Sequence, residues 1–208
     1  ALHTRFRALG GRVRHARVTH VIGTSGAQVA LDDGTRLASD LALVAAGAAS
    51  GALLESLGEK VPLIAERGYH VESTACDWPL GTPPIVFEDR SMIVTRFAGA
   101  VRAASFVEFA PLALPPDPRK WARLKAHVRA IGDRFGQPDS EWIGARPTLP
   151  DYLPAIGRLG RQPSIAYAFG HQHLGLTLAA VTGEAVAAMV RGEAPTVDIS
   201  PFDLARFA

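Results

Sequence analysis

Residues 165–191 constrain this chain more than any other stretch. A short apolar run at 165–169 leads into Gly170, and a loop with a second glycine, Gly175, opens an Ala-rich segment of helical pattern that ends at Arg191. The run is too short for a helix, so the pattern predicts a strand, a loop and a helix start. Such a junction leaves unpaired backbone N–H groups and the positive end of a helix dipole above the strand. Its natural guest is an anion or an electron-rich ring. A loop that binds nothing fits the same residues.

The rest of the chain narrows the choice. With 48% hydrophobic residues in 208, the chain can bury a core as one large domain or two small ones. The 22 basic residues against 20 acidic ones are scattered, which argues against a nucleic-acid partner. Arg outnumbers Lys, so a lysine general base is not expected, whereas Arg is suited to gripping carboxylates. The lone Cys76 excludes an internal disulfide and a Cys-rich metal site, and cytoplasm is the default compartment. No apolar run approaches the roughly 20 residues of a membrane span, so membrane contact would be peripheral.

In chain order, residues 2–9 read as the end of a helix stopped by Gly10-Gly11, and the chain is expected to lack its front. Short β-like runs at 17–22, 27–31 and 35–37 are divided by Thr24-Ser25-Gly26 and by Asp32-Asp33-Gly34, a hairpin signal. The apolar run 41–47 predicts a strand buried on both faces, followed by a helix over 48–57. Residues 62–109 read as an antiparallel sheet in which Ile93, Phe97, Val107 and Phe109 alternate as a half-buried face would. Asp117-Pro118 pairs an N-cap with proline at the first helical position, and Trp121, Leu124, Val128 and Ile131 form a packing stripe in a helix reaching about Phe135.

Taken in order, several segments resemble the D-amino-acid oxidase superfamily of flavin-dependent amine oxidoreductases, and bacterial D-amino-acid dehydrogenase small subunits in particular. They are Gly10-Gly11-Arg12-Val13, Arg17-Val18-Thr19, Asp33-Gly34, Val44-Ala45-Ala46-Gly47, Pro62-Leu63 with Glu66-Arg67-Gly68-Tyr69-His70, Trp142 through Pro147, Pro150 through Pro154, and Gly170-His171 through Gly183. The resemblance implies an α+β fold: part of an FAD-binding α/β domain over 1–60, an antiparallel-sheet substrate-binding domain over 61–140, and a return to the FAD domain with a C-terminal helix over 141–208. It also implies a Gly-x-Gly-x-x-Gly phosphate cradle. No Gly-x-Gly occurs in the chain, so another segment or chain is expected to complete the FAD site.

The resemblance further implies residue roles. Val18 matches backbone beside the adenine end of FAD, and Ala46-Gly47 a loop close to the cofactor; a plain turn fits Gly47 equally well. Residues Gly170, His171, His173, Leu174, Gly175, Leu176 and Thr177 match the loop at the pyrimidine edge of the flavin, where backbone N–H groups would stabilise the charge of the reduced ring. Arg146 matches the guanidinium that grips the substrate carboxylate, with a structural ion pair as the alternative. Tyr69 faces either the substrate or the core. His171 and His173 have no third metal ligand nearby in sequence, and no metal site is expected. Two departures, Ala49 in place of a bulky aromatic and Ser105-Phe106 in place of a small Gly-containing pair, leave the pocket shape open. The implied reaction is oxidative deamination of a D-amino acid. A glycine or sarcosine oxidase and a non-catalytic module are the alternatives, and oxygen and a peripheral acceptor at the inner membrane both stay open as electron sinks.

Overall fold

Tight turns and short strands form the start of the chain, as the Asp-Asp-Gly signal requires. The computed structural model describes residues 2–23 and 25–207, so Thr24, in the first expected turn, lies outside the described residues. Helix α1 (Leu2–Ala8) is followed by β1 (Val18–Gly23), β2 (Ala27–Leu31) and β3 (Arg36–Ser39), an antiparallel sheet in the order β1-β2-β3. Gly34 takes φ +82°, and the Asp33 carboxylate accepts the Thr35 N–H at 2.8 Å, which closes the second turn.

The second sheet joins distant parts of the chain. Strands β10 (Ala155–Leu159) and β11 (Gln162–Phe169) form an antiparallel pair, and β11 runs parallel to β4 (Ala42–Val44), the first strand of the run read at 41–47. Val44, Leu149, Ile165, Tyr167 and Phe169, together with Leu54 of α2 (Ser50–Glu55), make its core. The expectation that the 41–47 strand is buried on both faces fails at Leu43. Ala42 and Val44 are buried while Leu43 is 44% exposed, because its side of β4 lines a cleft instead of packing on another layer.

The third sheet contains β5 (Ile64–Ser73), β6 (Ile85–Phe87), β7 (Met92–Arg96), β8 (Val101–Phe109) and β9 (Ser140–Thr148), in the order β6-β7-β8-β5-β9. One face packs on α3 (Pro118–Ala130), where Leu124 and Val128 meet Val71, Val94, Val101 and Phe135. The Asp117 side chain accepts the Arg119 N–H at 3.0 Å as the expected N-cap. The helix stops at Ala130, short of Phe135, because Gly132 at φ +101° breaks it before a 3-10 turn at Asp133–Phe135. Ile93, Phe97, Val107 and Phe109 are exposed, so the half-buried face expected of them is an open face. Strand β9 pairs with β5 along nine residue pairs, so the chain leaves this sheet after Thr148 and not at the expected boundary before 141.

Phe106 lies in the Ser105-Phe106 pair, where the resemblance implies a small Gly-containing pair. The β5–β8 register shifts between Gly68 and Tyr69, leaving Phe106 as the extra residue of a bulge with φ +61°. Left-handed backbone favours glycine, so a Gly-containing pair of the kind the resemblance implies would fit this bulge without strain. Here Phe106 packs against the α3 core instead. Back beyond β11 the chain forms α4 (Ala179–Arg191), closed by Gly192 at φ +74°, and then two 3-10 turns, Ser200–Phe202 and Leu204–Phe207. Among the described residues no helix is long and apolar enough to cross a membrane.

Candidate functional site

A cleft of about 810 Å³ opens where the C-terminal ends of β4 and β11 meet the segment leading into α4. Gly47, Gly170, His171 and Gly175 line it, alongside Leu43, Ala45, Phe169 and one face of α4 from Ala179 to Arg191. The structure therefore brings four of the expected cofactor residues together. Ala46, His173, Leu174, Leu176 and Thr177 flank that lining on the same two loops without lining the cleft. Val18 stands apart at the start of β1, half-buried against the second-sheet core.

The loop differs from the helix start read in the sequence. Gly170 at φ +84° and Gln172 at φ +51° prevent helix there, a turn closed by Leu178 N–H to the Leu174 carbonyl (2.8 Å) intervenes, and α4 begins at Ala179. Among the described residues the backbone N–H groups of His173, Gly175 and Thr177 have no acceptor. These donors suit the electron-rich carbonyls of a flavin ring. Gly47 has φ +56°, which favours glycine whatever the space, and a Cβ there would meet no described atom within 4 Å. Gly170 has a structural reason of its own, because a Cβ would come within 2.8 Å of Leu149 Cδ1.

Gln172, which the sequence did not single out, holds this loop. Its N–H donates to the Pro147 carbonyl at 3.0 Å, and its side-chain amide donates to the Tyr152 carbonyl at 2.7 Å. The cleft loop is thereby tied to the residue next to Arg146. Thr182 on α4 is a second such residue: its hydroxyl lies 3.0 Å from His171 Nε2. Burial alone holds the His171 imidazole below its usual 6.5, which keeps the ring neutral near pH 7. No signal in the local sequence marks either residue, since their partners come from other elements.

Arg146 lies on the open face of β9, beside the 3-10 turn Gly47–Ala49. It is half-buried, and among the described residues it has no carboxylate within ion-pairing reach and donates no hydrogen bond. The alternative of a structural ion pair is not what these residues form. The same face carries His70, whose ring stacks on Trp142 with centroids 4.7 Å apart. Burial, reinforced by Arg102 and opposed by Glu72, pushes the His70 pKa down. Tyr69 points to the other face. It is fully buried against α3, its hydroxyl donates to Glu108 at 2.9 Å and accepts the Asp117 N–H at 3.0 Å, and the structure does not bring it to Arg146. The period of two along β5 separates them.

Known proteins show the same organisation. A D-amino-acid oxidase of Bradyrhizobium diazoefficiens is 36% identical over the whole of this chain, which covers 50% of that protein. A D-amino acid dehydrogenase of Cereibacter sphaeroides is 29% identical over 95% of the chain and is 44% covered. The glycine oxidase of Geobacillus kaustophilus superimposes with a TM-score of 0.79 at 20% identity, over 92% of this chain and 52% of its own. The chain thus spans about half the length of the curated relatives it matches. With the pattern of the FAD dependent oxidoreductases matched over residues 1–189, on a mixed fold that carries a glycine-lined cleft, the chain belongs to that family.

Proposed function

We propose that this chain supplies the substrate-gripping sheet and one wall of the flavin site in an enzyme that oxidises a D-amino acid to the imino acid. The observation that carries the reading is Arg146, a half-buried guanidinium with no protein partner among the described residues, on a strand whose next residue lines the cleft. A planar fork of donors left free in this way fits the bidentate grip of a carboxylate.

When bound, FAD supplies the two-electron acceptor for the hydride leaving the substrate α-carbon. The residues that would hold it are Gly47, Gly170 and Gly175 at the cleft wall, with the free N–H groups of His173, Gly175 and Thr177 as donors to its polar edge. Arg146 fixes the carboxylate and so orients the α-hydrogen, while the amine lone pair forms the C=N bond as the hydride departs. The amine proton is released, and water then converts the imine to a keto acid and ammonia. No residue of the cleft has to act as a strong base for this sequence, and the neutral His171 is held by Thr182. The D configuration and the amino-acid class rest on the names of the two relatives.

The test is Arg146→Met in the flavin-loaded protein that carries this chain. Each charge-assisted hydrogen bond contributes about 1.5–3 kcal/mol, so losing the pair should raise the KM for a D-amino acid by about a hundredfold or more. The flavin spectrum should stay unchanged. A KM within threefold of the parent's would refute the carboxylate role.

A further inference from the structure

Two glycines face each other in the middle of the β5–β9 ladder, Gly68 opposite Gly144. The flanking pairs are Glu66 with Arg146 and His70 with Trp142, and the strand period puts all six residues on the face turned away from α3. A Cβ placed on Gly68 would lie 2.9 Å from Arg146 Nη2 and 3.1 Å from both Cζ and Nη1. Three nearly equal distances mean that the guanidinium lies flat over the Gly68 backbone. A Cβ on Gly144 would lie 1.8 Å from Trp142 Cη2, so the indole rests on the other glycine. Neither glycine has positive φ, and the backbone therefore does not require glycine at either place. Glycine within a strand weakens it. What these two give in return is room for an arginine and a tryptophan to lie down.

We propose that Gly68 is a positioning residue for substrate: the missing side chain lets the Arg146 guanidinium lie on β5 at the height from which it grips a carboxylate. The Trp142 indole, seated on Gly144 and stacked on His70, is the adjoining wall of the same recess. This inference rests on the reading of Arg146 as carboxylate ligand. The three atoms nearest the Cβ position on Gly68 all belong to the flexible end of Arg146, so an alanine there lifts the guanidinium before it disturbs the sheet. A misplacement of the order of 1 Å in a positioning contact costs as much as about a hundredfold in rate.

The experiment is a double-mutant cycle with Gly68→Ala and Arg146→Met in the flavin-loaded protein, using D-alanine as probe, with crystal structures of the parent and of Gly68→Ala and thermal melting as a fold control. Gly68→Ala is expected to raise KM about tenfold or more with kcat changed much less, to leave the melting temperature level or higher, and to show a displaced guanidinium. In the Arg146→Met background the same alanine should change KM less than twofold, because there is nothing left to displace. A Gly68→Ala protein with parental KM, while Arg146→Met loses binding, overturns the positioning role alone. An Arg146→Met protein with parental KM overturns the carboxylate reading and the positioning role with it. Equal losses from Gly68→Ala in both backgrounds would show general damage to the sheet and overturn the proposal. An unmoved guanidinium in the crystal would overturn it too.

Discussion

Replacing Glu108 by Gln should destabilise the protein by about 3 kcal/mol, the low end of what breaking a buried ion pair costs. Glu108 stands opposite Arg67 across β5–β8, with Arg67 Nε 3.1 Å from Glu108 Oε2 and the Arg67 side chain only 4% exposed. The same carboxylate accepts the Tyr69 hydroxyl and pairs with Lys120 of α3. Glutamine keeps an acceptor for Tyr69 but removes the charge, leaving the Arg67 cation buried. The low end applies because Arg67 retains three carbonyl acceptors, on Pro111, Leu114 and Pro115. Lys120→Met provides the contrast. Its side chain is 26% exposed, so losing that partner should cost only about 1 kcal/mol. Urea unfolding of each variant measures the two values, with the slope checked for constancy. The hydrogen bond from Lys120 is the main force holding the Glu108 carboxyl below 4.5. A depressed acid pKa gives stability that is present above 4.5 and lost as pH falls through the folded value, so the Gln variant should also show a flatter acid limb. If Glu108→Gln costs no more than Lys120→Met, the argument from burial is wrong.

Two further outcomes follow from the cleft and the sheet face. Gln172→Ala removes the bond to the Tyr152 carbonyl and should weaken flavin retention by about 1 kcal/mol, roughly fivefold in dissociation constant, as measured by flavin release; unchanged release would show that the backbone bond to Pro147 suffices. His70 and His171 are both held below 6.5 by burial. Their unfolded forms take up protons first, so stability is full above pH 6.5 and declines as pH falls below it. His171→Asn should reduce that decline in melting temperature between pH 7 and 5, and an identical decline in the variant would rule His171 out as a contributor.

The fold was legible where the determinant is local. Asp32-Asp33-Gly34 made its turn and Asp117-Pro118 capped its helix because a few neighbouring residues set those geometries. The apolar run at 165–169 became the end of β11, and Gly170 ended it, since a left-handed φ and a nearby Leu149 both exclude a side chain there. Arg146 could be chosen because Trp142 through Pro147 resembles the family's segment, and the structure adds that it lies beside the cleft with no ion-pair partner among the described residues.

Facing and register were not legible. Whether Tyr69 faces α3 or the substrate, and whether Leu43 is buried or lines a cleft, depends on which layer packs on each face. That choice is made by elements far away in the chain. Residue types alone determined that this chain forms turns, strands and a capped helix, and the order of its motifs pointed to Arg146. Only the tertiary structure set Gly68 opposite Gly144 and tied Gln172 to Pro147, because strand register and loop contacts follow from packing between segments the sequence keeps apart.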